Sequence, residues 1–204
     1  MQPPANLRPE VRFGKVRTEK LDYQPALQYF KKIRGLKDPV WLDSGLSATT
    51  VSQTSGRFDI LSAEPIERLS FDPTKEIHST PLQPLREALD SIASVQNCED
   101  IPFCGGLIGY LSYEANHAYH QIAKRGSEPS SKTDSDSKPK PQVVMGLYTW
   151  ALIIDHLKRT TLLVFHPDCP RSVEQKIQAA LSSALSSNRN SESERQVHSS
   201  TAHT

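Results

Sequence analysis

Ser55-Gly56-Arg57-Phe58-Asp59-Ile60-Leu61-Ser62-Ala63-Glu64-Pro65 decides most of how this chain reads as a fold. Residues 57–62 have the composition of a short strand, and residues 66–71 read as another. Glu64-Pro65 stands between them. Proline has no amide to give a strand ladder, so it belongs at a strand end or edge. Alternation along the first strand puts Arg57 and Asp59 on the face opposite Phe58. Arg57 can then pair with Asp59, with Glu64, or with a ligand carboxylate, which its planar fork binds through two hydrogen bonds. From the residues alone an internal salt bridge is the plainer choice, and all three partners stay open.

The elements outward from that stretch mix helix and strand. Residues 11–17 alternate apolar and basic side chains, the period of a half-buried strand. Ala26, Leu27, Phe30, Ile33 and Leu36 make one apolar face of a helix over 24–36, with Lys31, Lys32, Arg34 and Lys37 at its C-terminal end, where cations suit the helix dipole. Residues 40–43 read as a short strand, and Ser44, before Gly45, as a turn residue or helix cap. Leu82, Leu85, Leu89, Ile92 and Val95 predict a helix over 82–95, with Pro84 in its first turn. Gly105, Gly106 and Gly109 sit in a strand-like run, where small residues let another backbone approach. Residues 143–154 and 160–166 predict a β-hairpin turning at 157–159, and Val173, Ile177, Leu181 and Leu185 a last helix over 172–185.

The order is not the strict alternation of a parallel doubly wound sheet. The expected class is α+β: a mainly antiparallel, sandwich-like sheet with flanking helices. Residues 11–185 form the domain, preceded by an extension over 1–10. The segment 124–141 has no large apolar residue and predicts a mobile loop, and 186–204 predicts a disordered tail.

Composition excludes several functions. The 204 residues carry a net charge of +1, which argues against nucleic acid and anionic membrane as partners. Mean hydropathy is −0.51, and no apolar run approaches the roughly 18–20 residues that cross a bilayer. The N-terminus lacks a basic start followed by an apolar segment, so a cytoplasmic location is expected. Cys98, Cys104 and Cys169 are odd in number and read as free thiols. There is no GxxxxGK(S/T) loop and no HExxH. Glu114, His117 and His120 would share a helix face and could ligate a metal, but an exposed polar turn is the plainer reading.

Four blocks carry a family signal: Trp41-Leu42-Asp43-Ser44-Gly45, Gly56 to Pro65, Pro102 to Tyr110, and Gly146 to His156. Their wording and order resemble the N-terminal part of component I of aminodeoxychorismate synthase (para-aminobenzoate synthase), a relative of anthranilate synthase component I. The anthranilate branch typically has Leu-Leu-Glu-Ser at the first block, where this chain has Trp41-Leu42-Asp43-Ser44. The resemblance implies the N-terminal fold of that family and a role in adding ammonia to chorismate, on the way to 4-aminobenzoate and folate. It implies a glutamine amidotransferase subunit as partner. It places chorismate and Mg²⁺ in a C-terminal half that no stretch here matches, so no catalytic residue, metal ligand or cofactor is expected on this chain, which would be inactive alone. It also implies half of a tryptophan pocket at Ser44, Ser55, Gly56, Arg57 and Phe58, although Gly56 replaces a residue with a side chain and the remaining wall would come from the other half. The alternatives are a free-standing amino-acid-binding or partner-docking regulatory module, or a piece of anthranilate synthase component I.

Overall fold

The structure is a computed structural model, and it describes residues 12–45, 56–73, 82–96, 98–115 and 142–182. In chain order these form β1 (Phe13–Lys15), β2 (Arg17–Leu21), α1 (Ala26–Ile33), β3 (Val40–Leu42), β4 (Phe58–Ser62), β5 (Glu67–Phe71), α2 (Gln83–Asp90), β6 (Ser94–Gln96), β7 (Gly106–Leu111), a 3₁₀ turn at Tyr113–Ala115, β8 (Val143–Tyr148), β9 (Trp150–Asp155), β10 (Thr160–Phe165) and α3 (Arg171–Ser182). The strands make a five-stranded sheet, β2-β10-β9-β4-β3, and a three-stranded sheet, β5-β8-β7, both wholly antiparallel. A short parallel pair joins β1 to β6. The class is α+β and mainly antiparallel, as expected.

All six residues of β9 are buried, because both faces of its sheet are covered. Trp150, Leu152 and Ile154 point to α1 and α3, where they meet Ala26, Tyr29, Ile33, Leu61 and Ile177. Ala151 and Ile153 point the other way and pack with Val164, Phe58, Ile60, Ile101, Phe103 and Leu162. A large side chain buried this completely stabilises by about 1.5–3 kcal/mol, so this strand anchors the fold. The three-stranded sheet has a much smaller cluster, Phe71, Leu85, Ala115 and Val143.

The chain passes directly between the two larger sheets twice, and the two crossings are clamped together. Between β4 and β5 it passes through Ala63, Glu64 and Pro65, with Glu64 at φ 52°. Between β8 and β9 it passes through Thr149. The Trp150 indole Nε1 donates to the Ala63 carbonyl at 2.6 Å, and Ser62 Oγ donates to the Trp150 carbonyl at 2.7 Å. The break at Glu64-Pro65 was expected. The strand expected over 143–154 is in fact two, because its halves pair with different partners, β5 and β7 on one side, β4 and β10 on the other. The hairpin itself is β9–β10, turning over residues 156–159.

Other boundaries also move. The strand expected over 11–17 divides at Val16 into β1 and β2, and Phe13 is 64% exposed. On α1 the buried stripe is Ala26, Tyr29 and Ile33, and Leu27 faces solvent. Lys32 at the end of α1 donates to the Leu181 carbonyl of α3 at 3.1 Å. The helix expected over 82–95 stops at Asp90, where Ser91 Oγ turns back to the Ala88 carbonyl at 2.6 Å. Residues beyond it are claimed by tertiary bonds. Ala93 donates its amide to Asp168 Oδ2 at 2.7 Å, and its carbonyl accepts from His166 Nε2 at 3.0 Å. Leu82 and Leu89 are accordingly exposed. In β7, a Cβ on Gly109 would run into the Val144 carbonyl of the adjacent strand, which is the close backbone approach expected there. No helix among the described residues is long and apolar enough to cross a membrane. The extension 1–10, the loop 124–141, the tail 186–204, His117, His120 and Leu185 lie outside the described residues.

Candidate functional site

Ser44, Gly56, Arg57 and Phe58 gather at one end of the five-stranded sheet, where β3 runs out and β4 begins. Ser55 lies outside the described residues. The register pairs Phe58 with Asp155 and Asp59 with Ile154 across β4 and β9. Residues directly opposite share a face, and successive residues alternate. Phe58 and Asp155 therefore lie on the face away from α1, and Asp59 on the face toward it.

On the first face Arg57 closes onto Asp155. Its Nε and Nη2 both donate to Asp155 Oδ2, at 3.1 and 2.8 Å, while Oδ1 accepts the amides of Leu157 and Lys158 at 3.0 and 2.9 Å. Burial pushes the Asp155 carboxyl up, but the Arg57 guanidinium and those two amides outweigh it and hold the group below its ordinary value. The guanidinium carbon also lies 4.5 Å from the Phe58 ring centroid, a cation–π contact. This corrects the expected placement of Arg57 opposite Phe58 and beside Asp59. The strand starts only at Phe58, and Gly56 takes the left-handed φ of +67°, which frees Arg57 from the strand's alternation and lets it fold over its neighbour.

On the second face a chain of polar groups runs inward. Tyr23 Oη is 3.0 Å from His156 Nδ1, and His156 Nε2 is 3.0 Å from Asp59 Oδ2. Asp59 Oδ1 accepts the Ser44 amide at 2.8 Å. Asp59 is 5% exposed, so this pairing satisfies a carboxylate that would be costly to bury alone. Gly45, at φ +68°, donates its amide to Asp43 Oδ1 at 2.9 Å, which makes Ser44 part of a turn, as its sequence context suggested. Glu64, the remaining candidate partner of Arg57, instead binds Lys176 Nζ at 2.9 Å and the Lys37 amide at 3.1 Å.

The ends of the segment from Ser44 to Arg57 are thus each fixed on a buried carboxylate. Arg57 is committed inside the protein, so it shapes the site's wall. Asp155, His156 and Tyr23 were not foreseen as members. Asp155 and His156 do close the quoted block Gly146 to His156, and two polar residues ending a wholly apolar strand are a signal that could have found them.

Among the described residues no group of three or more His, Cys, Asp or Glu is placed to hold a metal ion. All three cysteines are free, and Cys104 is buried; burial, then contact with Cys98, pushes its thiol up to about 12. A thiol so raised stays protonated at neutral pH, in keeping with a structural role.

Comparison with known proteins agrees with the motif blocks. Aminodeoxychorismate synthase component 1 of Escherichia coli K12 is 31% identical over 152 residues, 69% of this chain and 31% of the relative. Anthranilate synthase component 1 of Lactococcus lactis is 24% identical over 180 residues, 85% of this chain and 37% of the relative. The crystal structure of anthranilate synthase component I from Streptococcus pneumoniae TIGR4 matches with 20% identity and a TM-score of 0.45, over 82% of this chain and 37% of that one. The chain thus spans about a third of the length of these relatives. The family model described as chorismate binding enzyme matches residues 46–204, including residues for which no likeness to a chorismate-binding part was expected. That match covers most of the chain, and the protein belongs to the chorismate-binding enzyme family.

Proposed function

We propose that this chain is the N-terminal, non-catalytic part of an aminodeoxychorismate synthase component I and contributes half of a tryptophan pocket through Ser44, Ser55, Gly56, Arg57 and Phe58. The observation that carries the pocket reading is the double anchoring of Ser44 on Asp59 and Arg57 on Asp155. Two buried charges hold the ends of one segment in place, the preorganisation that a binding wall needs. The identity to the Escherichia coli protein of that name supports the branch. On this reading the chain works in the cytoplasm with a catalytic part of component I, which supplies the chorismate and Mg²⁺ sites, and with a glutamine amidotransferase subunit that supplies ammonia.

The test has two arms. The purified chain given chorismate, Mg²⁺ and ammonia should make no aminodeoxychorismate. Product above a no-protein blank, abolished by a point change in this chain, overturns the non-catalytic reading. Tryptophan should raise the melting temperature only when a catalytic part is present, and Arg57→Ala should remove that rise. Strong stabilisation of the isolated chain by tryptophan would make it a free-standing amino-acid-binding module instead. The anthranilate synthase relative covers more of this chain than the aminodeoxychorismate synthase does, which favours a second reading as a part of anthranilate synthase component I. The product formed by the reconstituted enzyme separates the two.

A further inference from the structure

A cleft of about 270 Å³ opens on the face of the five-stranded sheet that carries Phe58 and Asp155. Its floor follows from the register. One cross-strand row runs Ile153, Leu162, Lys20 and the next runs Phe58, Asp155, Thr160, each residue directly opposite its neighbour and so on the same face. Ile101 and Pro102 close it from the other side. The slot therefore has apolar surface on both sides, Phe58, Ile153 and Leu162 in the floor and Ile101 and Pro102 opposite, with the polar Lys20, Asp155 and Thr160 beside them in the floor. Its volume lies just under the roughly 300 Å³ at which ligand pockets usually begin, which suits one ring and not two. Ser44, Gly56 and Arg57 are not among the residues that line it.

The charges at the rim select the ligand. Lys20 ends one floor row and Lys158 sits in the β9–β10 turn, and neither ammonium has a hydrogen-bond or ion-pair partner among the described residues. Asp155 is the floor's only carboxylate among the described residues and is already saturated by Arg57 and two amides. Asp100 stands at the rim. Because Arg57 already neutralises Asp155, Lys20 and Lys158 face Asp100 alone, which leaves room for one negative charge and disfavours two. We propose that this cleft binds a small aromatic monocarboxylate, its ring between Phe58, Leu162 and Ile101 and its carboxylate toward Lys20 and Lys158. The cleft shares Phe58 with the proposed tryptophan half-pocket, but Ser44, Gly56 and Arg57 of that pocket do not line it.

Calorimetric titration of the whole chain with benzoate tests this, with benzylamine and acetate as controls that remove the anion or the ring. Benzoate should bind saturably and the controls should not. Its affinity should fall as salt rises, since the lysines are exposed. The Lys20→Ala/Lys158→Ala double variant should weaken it about fivefold, the loss expected for two exposed ion pairs. Both lysines lie on the surface, so the variant should keep the parent's melting temperature, which is measured alongside. Absence of saturation, equal binding of benzylamine, or unchanged affinity in the double variant would each overturn the proposal. So would displacement of benzoate by tryptophan, because the cleft would then belong to the other pocket.

Discussion

The five-stranded and three-stranded sheets are built from similar strands yet stand very differently. The larger has both faces covered and a central strand without an exposed residue. The smaller leaves large side chains bare at its margin, where Tyr110, Leu111 and Tyr113 are 54%, 46% and 84% exposed. Strand composition therefore says little about independence. What separates the two is the number of layers packed against them, and the crossings between them are tied down inside the larger core, where Trp150 meets Ala63.

The same truncation placed in each sheet should break or sharpen this contrast. Ile154 is 0% exposed in the large core and Ile108 is 7% exposed in the small sheet. Ile154→Ala should cost toward the upper end of the roughly 2–5 kcal/mol range for such changes and Ile108→Ala toward its lower end, measured by urea unfolding. Equal costs would mean that the smaller sheet is as well consolidated as the larger.

A smaller effect is expected with pH at the edge of the larger sheet. Buried His166 donates from Nε2 to Ala93 and accepts the Asp168 amide on Nδ1 at 3.1 Å, so it is held neutral. Burial lowers its pKa below 6.5, against opposing pulls from the Ala93 carbonyl and Asp168. The unfolded chain then binds the extra proton first. Stability is full above about pH 6.5 and falls as pH drops from there toward the folded value. His166→Gln should flatten that slope in thermal melts recorded across the window. A second loss should follow at lower pH as the depressed carboxyl of Asp155 is protonated and releases Arg57. An unchanged slope in the variant would remove His166 as its source.

The smallest effect should come from the outer surface of the large sheet. Arg17 binds Glu174 through two hydrogen bonds at 2.6 and 2.8 Å, but the arginine side chain is 56% exposed. Glu174→Gln should cost no more than about 1 kcal/mol, and less in high salt. A larger loss would show that α3 is pinned by charge and not by Ile177.

Much of the larger sheet was legible in the residues. Proline at position 65 marks a strand end whatever surrounds it, and the spacing of Val173, Ile177 and Leu181 needs no tertiary knowledge to read as a helix. The split at Thr149 was not legible, because a continuous apolar run carries no local breaker and only its two sets of partners divide it. Ile92 and Val95 kept helical spacing while Asp168 and His166, far along the chain, took the backbone at Ala93 for another purpose. At the candidate site Arg57 was visible but its partner was not. Asp155 lies 98 positions away, and local alternation could weigh only nearby carboxylates.

The late position of β9 bears on how the protein is made. β2 needs residues 161–165 and β4 needs residues 152–155 for their pairing, so as the chain leaves the ribosome its first strands emerge long before the strands that receive them. Phe58, Ile60 and Leu61 must wait uncovered until Trp150 and the hairpin after it appear. Such non-local pairing is slow and exposes strand edges while it is incomplete.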